Sequence, residues 1–218
     1  VAATLPIGGR IADVVSAGTF AYAALANNAV AAVDLTTNTV SWTLGLTGQA
    51  VDVAVNSANT LVAAAAAGGA SSQFYLINPA THLATDSIPL AATPVRMVMT
   101  STGTRAFVDE NSFQMEIIDI ATKSVVSQFA LPGTVIAMKM APGDTLLYAG
   151  TALGTIFEIR VSSGAIVRQF QPSTTVADIA ISPDGKTLFV ADGGTAVFMV
   201  RLATGGLTGS VDFGANVK

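Results

Sequence analysis

The chain has 218 residues, 51% of them hydrophobic and only 11% charged, with a formal net charge of −4 and no cysteine. Without cysteine there are no disulfides, thiolate metal sites or cysteine nucleophile. The acidic balance argues against the basic stripe that grips nucleic-acid phosphate. Mean hydropathy is high at +0.59, yet the longest apolar run, LVAAAAA from Leu61 to Ala67, stops at Gly68. That is far short of the roughly 18 residues a membrane-spanning helix needs. High apolarity spread over short segments points to sheets buried on both faces.

In chain order the pattern is short strands joined by tight turns. The opening VAATLPIGG is strand-like, and because the chain starts at Val1 rather than methionine, a removed leader is expected, and export with it. A four-strand unit then recurs. Its first strand reads IADVVS, VDVAVN, VRMVMT, IAMKMA and ADIAIS in successive copies, followed by the turns SAGT, NSANT, TSTGT, APGDT and SPDGK. The second strand follows as FAYAAL, LVAAAA, RAFVDE, LLYAG and LFVAD. The third closes on a polar residue: Asp34, Asn78, Asp119, Arg160 and Arg201, in steps of 44, 41, 41 and 41. A fourth strand ends each copy, at VSWTL, TDSIPL, VVSQFAL, IVRQF and LTGSVDF.

Four strands per roughly 41 residues, rich in β-branched residues and separated by Gly/Asn/Asp/Pro turns, predict a β-propeller blade. A sandwich with coincidental spacing is the competing reading, and sandwiches seldom repeat in sequence. The expected fold is therefore all-β: one propeller domain over residues 1–218, with five four-stranded antiparallel blades. The N-terminal strand is surplus to five blades, so closure is expected by terminal-strand pairing, with Val1–Ile7 and Leu207–Phe213 sharing the edge of the last blade. A segment of a larger ring is the alternative.

The fifth copy, ISPDGKTLFVAD followed by VFMVRLATGGLTGSV, resembles the YVTN-type repeat of bacterial and archaeal surface and periplasmic propellers. The first copy, DVVSAGTFAYAALANNAVAAVDLTTNTV, is similar both to that repeat and to its LVIVD-type relative. The resemblance covers nearly the whole chain and implies a propeller of an exported protein. It leaves activity open, since such repeats carry scaffolds, binders and a few enzymes.

The innermost strands of such a fold surround a central channel, so their few charges are the first candidates for a site. Asp52, Arg96, Ala137 and Asp178 fall in phase, and Asp13 lies near the same place in the shorter first copy. Lys139 lies two residues beyond Ala137, on the same strand face. Asp13, Asp52, Arg96, Lys139 and Asp178 thus form a candidate channel-mouth site for a small polar or ionic ligand. The competing reading is mutual charge pairing.

Other residues read as structural. His82, the only histidine, falls in the turn NPATHLAT, and one histidine cannot make a multi-histidine metal site. SPDGK and APGDT lack the ligand ladder of calcium loops and the phosphate cradle of P-loops, so they are hairpin turns. Met97 and Met99 align with Met138 and Met140 as fillers between neighbouring blades. Trp42 lies in an outer strand, with Phe129 and Phe170 near its equivalent positions, either packed or presented to a partner.

The functional expectation is a non-catalytic, monomeric propeller module of an exported protein, meeting a protein partner or small polar ligand, without cofactor or metal. The alternative is a ligand-binding, hydrolase or lyase type with its site at the channel mouth.

Overall fold

The computed structural model describes residues 4–68 and 71–214. Among them all regular structure is β-strand, in five antiparallel four-stranded sheets, each built of strands consecutive in sequence. The first sheet holds β1 (Ile11–Ala17), β2 (Phe20–Leu25), β3 (Ala29–Asp34) and β4 (Thr39–Gly45). The second holds β5 (Gln49–Val55), β6 (Val62–Ala67), β7 (Gln73–Asn78) and β8 (Leu83–Pro89). The third holds β9 (Pro94–Met99), β10 (Arg105–Glu110), β11 (Gln114–Asp119) and β12 (Ser124–Ala130). The fourth holds β13 (Val135–Met140), β14 (Leu146–Thr151), β15 (Ile156–Arg160) and β16 (Ile166–Phe170). The fifth holds β17 (Asp178–Ile181), β18 (Thr187–Ala191), β19 (Ala196–Arg201) and β20 (Gly206–Asp212).

Two compact units divide the chain, Val1–Gln128 and Phe129–Lys218, with the boundary inside β12. In each unit the core lies between neighbouring sheets. Tyr22, Val30 and Trp42 of the first sheet pack with Val53, Val62 and Ile77 of the second. Phe74 and Leu76 of the second pack with Met97, Met99 and Val108 of the third, so these two methionines fill the gap between sheets as expected. In the second unit, Tyr148 and Ile156 pack with Ile179, Leu188 and Val200. Because sheets are covered on both faces, β6, β10 and β14 are almost continuously buried, whereas the outer β4 and β8 are mostly exposed.

The repeat read from sequence is the repeat of the backbone. Each third strand ends on its landmark residue: Asp34, Asn78, Asp119, Arg160 and Arg201. The Oδ1 atoms of Asp34, Asn78 and Asp119 accept backbone N–H groups two or three residues on, closing the turn by their own side chains. In each of these turns the residue four past the landmark has a left-handed backbone: Asn38, His82, Lys123, Gly164 and Gly205.

The expected closure is corrected. No described residue before Ile11 is in a strand, and β20 pairs only with β19 of its own sheet. Ile7 instead packs on Ala23, Leu25, Ala29 and Ala31 of the first sheet. Asn27 donates to the Gly8 carbonyl at 3.0 Å, and the Ala26 N–H to that of Arg10 at 2.9 Å. Gly8 and Gly9 break any strand here, and this short apolar segment is satisfied by covering a sheet face rather than adding an edge. Val1–Ala3 lie outside the described residues.

Candidate functional site

Four of the inner-strand candidates occupy equivalent backbone positions, and Lys139 lies two residues beyond the equivalent Ala137. Asp13, Asp52, Arg96 and Asp178 pair across to Ala24, Ala65, Asp109 and Ala191, and Lys139 pairs to Tyr148. In the first unit the first strands of adjacent sheets lie side by side, which brings Asp13 and Asp52 together. The Val53 N–H donates to Asp52 Oδ1 at 2.8 Å and to Asp13 Oδ2 at 3.4 Å, while Asp52 Oδ2 accepts the Met97 N–H at 2.7 Å. Burial, then the hydrogen bond with Asp13, holds the Asp52 carboxyl well above the usual carboxylate range.

Arg96 faces Asp109 across the β9–β10 ladder. Asp109 is only 4% exposed, and burial pushes its carboxyl up to about 7, against the pull of Arg96. Lys139 and Asp178 belong to the second unit, and both are exposed. Asp178 Oδ1 accepts the N–H of Ile179 at 2.8 Å, the same local bond that Asp52 makes with Val53.

Two further carboxylates were not legible in the sequence. Glu110 and Glu116 are buried in the third sheet, and their Oε1 atoms accept the N–H groups of Ala92 and Ala91 at 2.8 and 3.4 Å. Both Oε2 atoms are buried without a partner. Burial, then the charge of Glu110, raises the Glu116 carboxyl. Among the described residues, no group of three or more His, Asp or Glu side chains is arranged to hold a metal ion.

A cleft lies elsewhere, at the seam of the fourth and fifth sheets. The cleft, of about 880 Å3, is lined there by Leu146, Tyr148, Glu158 and Arg168, and opposite them by Asp184–Thr187, Arg201–Ala203 and Thr208. The residues that open it sit at positions of the repeat where the first seam is plugged. In the first sheet Tyr22 and Trp42 lie either side of Ala32 in the ladder, and Trp42 meets the turn residue His82 of the next sheet. In the fourth sheet the same three positions hold Tyr148, Glu158 and Arg168, and the turn residue of the next sheet is Gly205. An alanine has become a carboxylate, an indole a guanidinium, and an imidazole nothing.

Register thus places Arg168, and Asp86 in the second sheet, at the Trp42 position. Phe170 pairs with Ile156, two residues further along. Trp42 itself is 8% exposed and packed in the core between the first two sheets.

Arg168 is clamped. Its Nη2 donates to Glu158 Oε2 and to the Leu202 carbonyl, and its guanidinium lies 5.6 Å from the centre of the Phe170 ring. Tyr148 also donates to Glu158 Oε2, at 3.2 Å. Burial first, then the negative charge of Glu158, holds the Tyr148 hydroxyl firmly protonated. A sequence signal did exist: Glu158 is a charge inside the apolar run IFEIR, where equivalent strands carry Ala32, Leu76 and Met199.

No protein-family model matches the chain, and no curated protein matches it. Among solved structures it is similar to Kuenenia stuttgartiensis hydrazine synthase, with TM-score 0.78 at 17% identity over 95% of this chain and 66% of that one. It is also similar to the β-propeller domain of Myceliophteria thermophila Cps50 (Swd1), with TM-score 0.75 at 16% identity over 89% of this chain and 65% of that one. The fold is a five-bladed β-propeller. The chain spans about two thirds of the length of either solved structure. At such identities the likeness carries the propeller fold alone, so the two seams and their side chains have to speak for activity.

Proposed function

We propose that this propeller is a non-catalytic binding module, of the YVTN-like kind and belonging to an exported or cell-surface protein, that takes a small polar ligand at a blade seam. The cleft of about 880 Å3 between the fourth and fifth sheets carries the reading, since it falls within the size range of ligand pockets. Its catalytic equipment is poor: Glu158 is committed to Arg168 and Tyr148, and a general base held by two donors is a weak one. The repeat resemblance and the absence of cysteine support export. A thermal melt against a panel of small acids, sugars and divalent ions, with and without EDTA, tests the reading, because a ligand of the native state raises the midpoint by mass action. A flat response across the panel would count against a small ligand and leave a protein partner for the module.

A second reading rests on the first strands, where Asp13 and Asp52 converge beside β9, which carries Arg96. There the two carboxyl groups that share the Val53 N–H support a weak cation or polar-ligand site. A midpoint rise with divalent ions that disappears in Asp52→Ala supports it; no rise removes it.

A further inference from the structure

We propose that the cleft between the fourth and fifth sheets is built for an oxyanion on a small organic molecule, a carboxylate or a phosphate ester, received by Arg201 and Lys186. The inference rests on the binding-module reading of this cleft and names its ligand class.

Charge and hydrogen-bond supply decide the class. The lining carries three cations, Arg168, Lys186 and Arg201, against two carboxylates, Glu158 and Asp184, in a chain whose net charge is −4. Both carboxylates are already supplied by the protein. Glu158 accepts from Arg168 and Tyr148. Asp184 accepts from the Ser182 hydroxyl at 2.6 Å and the Lys186 N–H at 3.1 Å. Donor capacity is left over. Arg201 is in no ion pair among the described residues, Lys186 Nζ is a loose 3.7 Å from Asp184, and Arg168 Nε–H is buried without an acceptor.

A lining with more cations than carboxylates, each carboxylate already engaged through one oxygen, selects an acceptor-rich, negatively charged ligand. Leu146, Leu202 and Ala203 supply apolar wall for a carbon skeleton. Beside Arg168 the turn residue is Gly205, where the second sheet carries His82 and the third Lys123. Both of those turn residues fill their seams: His82 against Trp42, and Lys123 in an ion pair with Asp86 at 2.8 Å. A left-handed backbone does not demand glycine here, since His82 adopts φ 62° at the equivalent position. At 205 the place of that side chain is taken instead by Phe170 and Arg168, 3.4 and 3.5 Å from where a Cβ would stand.

The test is a thermal melt of the whole chain at fixed ionic strength with four probes at 10 mM: inorganic phosphate, citrate, glucose-6-phosphate and glucose. A dissociation constant of 1 mM or below raises the midpoint by about 3 °C or more for a chain of this size. The expected result is such a rise with glucose-6-phosphate or citrate, lost in Arg201→Gln, weakened in Lys186→Gln, and kept in Arg10→Gln, which removes an exposed cation outside the cleft. Citrate alone identifies a carboxylate ligand, and glucose-6-phosphate alone a phosphate ester. A rise with glucose equal to that with glucose-6-phosphate overturns the oxyanion class while leaving the binding module standing. No rise with any oxyanion, or one that survives Arg201→Gln, overturns the proposal outright.

Discussion

Trp42 stacks on His82 across the seam of the first and second sheets, ring centroids 5.4 Å apart and planes inclined by 22°. The same two positions meet as an ion pair, Asp86 with Lys123, at the next seam. In the second unit they become Arg168 beside Gly205, whose Cβ, if present, would lie 3.5 Å from Arg168 Nη1. One backbone relationship thus carries stacking, charge pairing and, in the second unit, a glycine set against a cation. The energies differ accordingly: an aromatic contact contributes about 0.5–1.5 kcal/mol beyond its buried area, whereas the exposed Asp86–Lys123 pair is screened by solvent and salt.

His82→Ala should therefore lower stability by about 1 kcal/mol, since it removes the stack, while the left-handed backbone at this position carries a β-carbon in both proteins. Trp42 is the only tryptophan, so its emission reports the seam directly. The wild type should emit to the blue of free tryptophan, and the variant should shift red. An unchanged spectrum would mean that His82 does not cover the indole.

Gly154 marks the tightest backbone approach in the fourth sheet. Its φ is +80°, and a Cβ built there would sit 2.1 Å from the carbonyl oxygen of Ser173. Left-handed backbone alone costs a β-carbon residue about 1–2 kcal/mol, and here a backbone atom must also move. Gly154→Ala should destabilise by more than about 2 kcal/mol in urea unfolding, while Gly143→Ala, with φ +84° and open space, should cost only the conformational part.

The buried acids set the pH response. Asp52, Asp109 and Glu116 all hold their protons more tightly in the folded chain than when unfolded, chiefly through burial. Over the interval between the unfolded and folded values the native state binds more protons, so stability falls as pH rises. For Asp109 that interval runs from about 4, the ordinary carboxylate value, to about 7. The turn aspartates Asp34, Asp119 and Asp184 are shifted the other way, mainly by hydrogen bonds, so their contribution is lost only at more acidic pH. The melting midpoint should accordingly decline from pH 5 to pH 7.5. Asp109→Asn should flatten that decline, because the amide has no proton to lose. A midpoint constant or rising over this range would contradict the assignment.

The strands, turns and phase of the repeat were legible because they depend on local chemistry. Asp34, Asn78 and Asp119 announce a turn by side chains that bond their own backbone, and the apolar runs between them become continuously buried strands. The cleft was not legible, because it depends on register across strands and between sheets. Comparing Trp42 with Phe129 and Phe170 misses by two residues the position where Arg168 stands, and with it the replacement of an aromatic plug by a clamped cation. Asp13 and Asp52 meet because their strands lie side by side in adjacent sheets, a relationship of packing rather than of local pattern. The burial of Glu110 and Glu116 was not legible either, since nothing in VDENSFQMEI separates a covered carboxylate from a solvated one. The N-terminal segment misled for a related reason: VAATLPIGG has strand composition, but Ile7 and the two glycines after it let its described end cover a sheet face.

The exchange between seams can be made experimentally. Glu158→Ala alone strands the Arg168 guanidinium, whose remaining acceptor would be the Leu202 carbonyl, and should destabilise by about 2–3 kcal/mol, somewhat under the range for breaking a fully buried pair. Arg168→Trp alone leaves the Glu158 carboxylate with Tyr148 as its only donor and should cost a similar amount. The double variant Glu158→Ala/Arg168→Trp reproduces the Tyr22–Ala32–Trp42 arrangement of the first sheet beside Tyr148. It should recover most of the loss, with a coupling energy of about 2 kcal/mol in the double-mutant cycle. It should also abolish any ligand response of the cleft, since an indole stands where the guanidinium was. Additive losses in the cycle would show that Glu158 and Arg168 are held by their own surroundings rather than by each other.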